Sequence, residues 1–168
     1  MTRFAFLIVA TTLLSVPALA TEWRGGSPED RAAIQKIIDD WRMAYAKGDA
    51  MTVANGYDPK GFVMAEGAPV TYPDVLGPRL AKTFEAATID MLLDVEEVEF
   101  NGTWAFIQGT FASKRTAKAP KPGEEPRFHA GRSFTLMRKT DAGWKVWRNM
   151  DTSSPDANGL LEQLKAKK

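Results

Sequence analysis

The hydrophobic period of this chain changes once, near Asp90, and that change limits the folds open to it. Before it, Ile34, Ile37, Ile38, Trp41 and Tyr45 recur at three- and four-residue spacing and make one apolar stripe on a helix. After it, apolar and polar residues alternate, so that Met91–Phe100, Thr103–Arg115, Phe128–Lys139 and Trp144–Thr152 read as strands. Helices first and an antiparallel meander second predict an α+β fold, with helices on one face of a curved sheet.

Local signals place the boundaries. Ser27 is a helix N-cap, followed by Pro28 at the first helical position and by Glu29 and Asp30 in the first turn; Gly48 ends the helix. Asp49 caps a short second helix to about Asn55. Gly61–Glu66 reads as a short strand, Ala68–Pro78 as a proline-rich loop, and Arg79–Ala87 as a helix carrying Leu80 and Phe84. Asn101-Gly102 is a hairpin signal, as is Asp141-Ala142-Gly143 with Gly143 left-handed. Thr116–Arg127, with three prolines, is a long crossing. The division expected is a leader over 1–20, a tether over 21–27, one domain over 28–154 and a polar tail over 155–168 with a turn or two of helix at Leu160–Lys165.

The leader reads as a secretory signal: Arg3, the apolar run Phe4–Leu14, Pro17, and the small-x-small pattern Ala18-Leu19-Ala20. The run is shorter than the roughly 20 apolar residues a membrane span needs. Cleavage after Ala20 and a periplasmic or secreted location are expected. At 168 residues the chain is long enough for a core without staples. The absence of Cys excludes disulfides, thiol nucleophiles and cysteine-held metals. A single His and a net charge of +1 leave no His-rich metal site and no electrostatic case for nucleic acid.

Turn lengths then assign faces. A two-residue turn at Asn101-Gly102 pairs Phe100 with Thr103, Val98 with Ala105 and Glu96 with Ile107, continuing to Leu92 opposite Phe111, as the core face. A three-residue turn pairs Thr140 with Trp144, Arg138 with Val146, Leu136 with Arg148 and Phe134 with Met150, again facing the helices. The outer face then carries Glu97, Glu99, Trp104, Phe106, Gln108, Met137, Lys145, Trp147, Asn149 and Asp151. Its four large apolar residues, Trp104, Phe106, Met137 and Trp147, make a patch whose expected use is dimerisation. Arg132 and Arg148 fall on the inward face, either as structural ion pairs or as a fork that holds a polar or acidic ligand. His129, the sole imidazole, has outward parity. The cluster Glu96, Glu97 and Glu99 reads as a solvated face.

The ordered set Ala32–Asp49, Asp58 to Gly67, Gly77, Val95–Val98, Gly102–Ala105, Gly131 and Gly143–Met150 resembles the SnoaL-like members of the nuclear transport factor 2-like superfamily. The resemblance covers about Glu29 to Ser154. It implies a cone-shaped fold in which three N-terminal helices pack on a strongly curved, mostly antiparallel sheet, with a pocket between them and dimers through the sheet. It also implies an acid–base repertoire of isomerases, cyclases and dehydratases. Against the isomerase pattern, Trp41 stands where a Tyr is wanted, the base position falls at Ala65 beside Glu66, and the second oxyanion position falls at Gly131 or Arg132. Glu66 is therefore the one candidate catalytic carboxylate.

The function expected is an exported homodimer that binds a small, mainly apolar molecule in its cone. Trp41, Tyr45, Tyr57, Met64, Phe84, Phe134 and Met150 would form the walls, and Arg132 and Arg148 would fix a polar or acidic end. The alternatives are an acid–base enzyme using Glu66 and a purely structural dimerisation domain. No cofactor, metal, nucleic acid or membrane partner is expected.

Overall fold

The computed structural model describes residues 20–167, so the expected leader, apart from Ala20, lies outside the described residues. The elements are β1 (Glu22–Arg24), α1 (Pro28–Lys47), α2 (Ala50–Asn55), β2 (Tyr57–Ala65), α3 (Pro73–Ala86), β3 (Ala87–Asn101), β4 (Trp104–Ala117), β5 (Arg127–Thr140), β6 (Gly143–Ser153), a 3-10 turn (Pro155–Ala157) and α4 (Asn158–Ala166). The strands form one curled, unclosed sheet in the order β1-β3-β4-β5-β6-β2. The two edge strands run parallel to their neighbours, and the four long strands between them are antiparallel. The fold is α+β, as expected. Three N-terminal helices in succession are not found: α1 and α2 precede β2, α3 lies between β2 and β3, and α4 closes the chain.

Helix α1 forms where its signals place it. The Ser27 hydroxyl accepts from the Asp30 amide at 3.2 Å, and Gly48 stops the helix in the left-handed conformation with φ 71°. Its apolar stripe buries Ile34 and Ile38 against Val95, Val98, Met137 and Val146 of the sheet. Its first turn is pinned as well: Asp30 accepts from Trp144 Nε1 at 2.8 Å and pairs with Lys139 Nζ at 2.7 Å. Helix α3 starts earlier than expected, because Pro73 occupies a first-turn position and Pro78 sits one turn in, where the Asp74 carbonyl that loses its donor is exposed.

The expected tether contains β1, which pairs with Glu97–Glu99 of β3, while Trp23 stacks on Phe100. The expected polar tail packs on the outer face of the sheet with Leu164 buried. Arg132 holds it there by pairing with Asp156 at 3.2 Å and with Glu96.

The registers need correction. The first hairpin turns on Gly102-Thr103, with Asn101 opposite Trp104 and Gly102 at φ 60°. Among the described residues no non-glycine has a positive φ, so this is a glycine-first turn, whereas an Asn-Gly turn needs two positive φ values. The shift moves both strands together and keeps Val98 and Ala105 inside. A bulge at Glu96 then inverts β3, so Leu93, not Leu92, lies opposite Phe111. The second hairpin turns on two residues, Asp141-Ala142, which pairs Met137 with Val146 and buries Met137 at 1% exposure. A second bulge, at Trp147, restores the expected pairs Leu136–Arg148 and Phe134–Met150 but turns them outward; Phe134 is 43% and Met150 48% exposed.

Two inward-facing glycines sit where strands approach too closely for a side chain. A Cβ on Gly109 would run into the Asp94 carbonyl, and one on Gly131 into the Thr152 carbonyl. Both obstacles are backbone, so Gly109→Ala and Gly131→Ala are each expected to destabilise the protein by about 2–4 kcal/mol in urea denaturation. Losses below about 0.5 kcal/mol would show that the bend relaxes freely.

Candidate functional site: a cavity inside the cone

The curled sheet and α1 enclose a cavity of about 130 Å³. Apolar and aromatic side chains make most of its wall: Ile37, Ile38, Trp41 and Tyr45 from α1, Val53 from α2, Tyr57 from β2, Met91, Leu93 and Val95 from β3, Ile107 and Phe111 from β4, Met137 from β5 and Val146 from β6. The helical spacing of the α1 residues and the inverted parity of β3 past its bulge bring them to one side. A small polar wall is made by Ser133 and Thr135 of β5 with Asn149 and Asp151 of β6. These four alternate on paired strands, Ser133 opposite Asp151 and Thr135 opposite Asn149, and all point inward.

Asn149 is the hub of this wall. Its Nδ2 lies within donating distance of Ser133 Oγ (3.0 Å), Thr135 Oγ1 (3.1 Å) and Asp151 Oδ1 (3.2 Å), and its Oδ1 accepts from the Tyr57 hydroxyl at 3.3 Å. Burial pushes the Asp151 carboxyl above its ordinary value, against the opposing pull of hydrogen bonds from Ser133 and Asn149 and of nearby His129. Burial also pushes Tyr45 up to about 12, and Tyr57 well above its ordinary value, so both remain neutral phenols. The Trp41 indole N–H is buried without a partner.

Of the residues expected to line a pocket, Trp41, Tyr45 and Tyr57 do so. Phe84 is buried behind Tyr45, its ring edge-on at 5.8 Å. The two-residue turn takes Phe134, and the bulge at Trp147 takes Arg148 and Met150, to the outer face, where Met64 of β2 lies beside Met150 and Arg132 pairs with Glu96. The Arg148 guanidinium lies between the Phe62 and Trp147 rings, 3.9 and 4.0 Å from their centroids. Glu66 is exposed outside the cavity; it accepts from the Ser153 amide at 2.6 Å, and its carboxyl is held below the ordinary range chiefly by hydrogen bonds from Ser153. His129 has inward parity, with its ring edge-on to Phe111 at 5.1 Å and its Nε2 3.3 Å from Ser153 Oγ, so it stands exposed at the rim. Met137 faces the cavity rather than the outer patch, where Trp104 and Trp147 meet edge to face at 6.3 Å and Phe106 stacks on Phe134 at 5.5 Å. Among the described residues no group of three or more His, Asp or Glu is arranged to hold a metal ion.

The polar wall was missed because Asn149 and Asp151 were read outward. The signal present in the sequence was Ser133-x-Thr135 lying across a hairpin from Asn149-x-Asp151, two alternating polar pairs in strands whose other face is aromatic. Asp151 makes this wall sensitive to pH. Its folded titration lies above the ordinary value of 3.8, so the native state keeps a proton that the unfolded chain releases. The stability tied to it is present at low pH, falls as pH rises from about 4 through the raised value, and stays lower above it. Asp151→Asn is expected to melt higher than wild type at pH 7.5 and by a smaller margin at pH 4, with about 1.4 kcal/mol for each unit of upward shift. Thermal denaturation across that range checks it, and an equal margin at both ends would contradict it.

No protein-family model matches the sequence, and no curated protein sequence matches it. Solved structures do. A conserved protein from Planctomyces limnophilus superposes with a TM-score of 0.68 at 17% identity, over 76% of this chain and 100% of that one. A ketosteroid isomerase-like protein from Erwinia carotovora atroseptica gives 0.64 at 25% identity, over 77% and 100%. A provisionally assigned dehydratase of the nuclear transport factor 2-like family from Streptomyces avermitilis gives 0.62 at 19% identity, over 77% and 99%. This chain has the fold of the nuclear transport factor 2-like proteins.

Proposed function

We propose that the chain binds a small, mainly apolar molecule inside the cone, with the polar end of that molecule directed at the Asn149–Asp151 wall. The observation that carries this reading is a cavity of about 130 Å³ with one polar wall and otherwise apolar sides. An apolar cavity of about 150 Å³ holds benzene, so the ligand is of single-ring size. The test is native mass spectrometry of protein purified gently from its host, together with thermal shifts using benzyl alcohol and phenol. One retained small molecule per chain is expected. A saturating probe, at about 100 times its Kd, adds about 2.7 kcal/mol of stability. Ligand-free protein that no probe stabilises would overturn the reading.

A second reading is proton-transfer catalysis on such a molecule, and Asp151 favours it. A carboxyl raised by burial at the cavity wall is the group that acid–base chemistry needs, and Asp151 replaces the exposed Glu66 in that role. The names of the isomerase-like and dehydratase neighbours support the same class. With a substrate in hand, Asp151→Asn is expected to lower kcat by at least about 100-fold. Full turnover in that variant would exclude this role.

The outer sheet face supports a homodimer as the working form. Trp104, Phe106, Phe134, Leu136, Trp147 and Met150 leave a largely aromatic surface on the part of the sheet not covered by α4. Trp104→Lys combined with Trp147→Lys is expected to give a folded monomer by light scattering, and an unchanged dimer would remove this face from the interface. Export completes the proposal: cleavage after Ala20 would cut just before β1, and N-terminal sequencing of the exported protein should begin at Thr21.

A further inference from the structure

Donor and acceptor bookkeeping around Asn149 goes further than the size of the ligand. Its amide has two N–H groups and three acceptors within reach, Ser133, Thr135 and Asp151, so neither N–H is left for a ligand. The Tyr57 hydroxyl proton is directed at Asn149 Oδ1, and Ser133 gives a hydrogen bond to Asp151. Apart from the Thr135 hydroxyl proton, the polar wall therefore spends its donors internally and faces the cavity mainly with acceptors. The strongest of these is Asp151, a carboxylate with up to four acceptor sites, two of them used. His129 stands at the rim, near enough to Asp151 to pull its titration down, but among the described residues no Lys, Arg or His lines the cavity itself. Trp41, Tyr45 and Tyr57 supply aromatic surface, whose faces attract a cation.

We propose that the cavity takes a small organic cation: an amine on a single-ring or branched aliphatic body, with its ammonium group seated on Asp151. This rests on the reading of the cavity as a ligand site. An ammonium group supplies the donors this wall lacks and the positive charge that a buried carboxylate otherwise has to do without. A carboxylic acid would meet Asp151 as a like charge. A neutral alcohol would satisfy one acceptor and leave the charge unbalanced.

Benzylamine, benzyl alcohol and benzoate share one shape and differ in charge, and titration calorimetry at pH 7.5 ranks them. The expected order is benzylamine first by at least tenfold over benzyl alcohol, with benzoate weakest. In Asp151→Asn the tenfold preference should vanish while benzyl alcohol changes less than threefold. Benzyl alcohol binding wild type as tightly as benzylamine overturns the proposal and leaves the ligand-site reading standing. An amine preference that survives in Asp151→Asn overturns the assignment to Asp151. If none of the three probes binds, both readings fall. The wild-type ranking alone decides the charge question should the variant not fold.

Discussion

The bend of the sheet is the constraint on which the rest depends. A flat sheet of these strands could cover one side of α1 but could not enclose space beside it. Bulges at Glu96 and Trp147 supply local twist, and Gly109 and Gly131 let neighbouring backbones close to distances no side chain would allow. The helix is then held at one end of the resulting cone by its own first turn, where Asp30 takes the Trp144 indole and the Lys139 ammonium. That end is filled by Trp23, Phe100 and Trp144, with Phe100 edge-on to Trp144 at 5.6 Å. Away from it the filling runs out, and the cavity begins where the Asn149 network replaces apolar packing.

The cavity wall shows the conflict between stability and function that such sites carry. Replacing Ser133, Thr135, Asn149 and Asp151 with apolar residues would give an ordinary core, and burial of Asp151 opposes folding at neutral pH. The network partly offsets this by satisfying Asn149 and Tyr57 through one another. Tyr57 and Trp41, stacked at 5.7 Å, in turn fix the helix-side wall against which a ligand would lie.

Much of this was legible in the sequence, and the faces that were not have two causes: bulges in β3 and β6, and a second hairpin turn one residue shorter than expected. Helix ends follow from side-chain and backbone hydrogen bonding within a few residues, so Ser27, Pro28 and Gly48 could be read directly. The strands follow from alternation, and Trp41, Tyr45 and Tyr57 from positions with no register to misjudge. Bulges carry no comparable local signature. Each inserts one residue and inverts every side chain beyond it; the shorter turn inverts β5 as the bulge at Trp147 inverts β6, so the pairing of Phe134 with Met150 is as expected and its face is not. The error therefore fell on the site: Arg132, Arg148 and His129 were exchanged in parity with the residues that matter. The error in the first turn did no such harm, because it moved both strands together.

Electrostatics decides between the two parities of β5 and β6, and it explains why the bulge at Trp147 belongs to this fold. Without that extra residue, Arg148 and Met150 would follow Val146 inward, and Asn149 and Asp151 would face water. A guanidinium cannot lose its charge at any pH a protein meets, so a buried, unpaired Arg148 would carry its full desolvation penalty. A carboxyl in the same place can take up a proton, and its penalty is then limited to the shift in its titration. With the bulge in place, Arg148 lies outside between two aromatic rings and donates to the Trp147 and Lys60 carbonyls, while the group left inside is Asp151, a carboxyl whose titration burial moves up. Trp147, the inserted residue, thus separates the two faces chemically: guanidinium and aromatic groups outside, a single adaptable acid within.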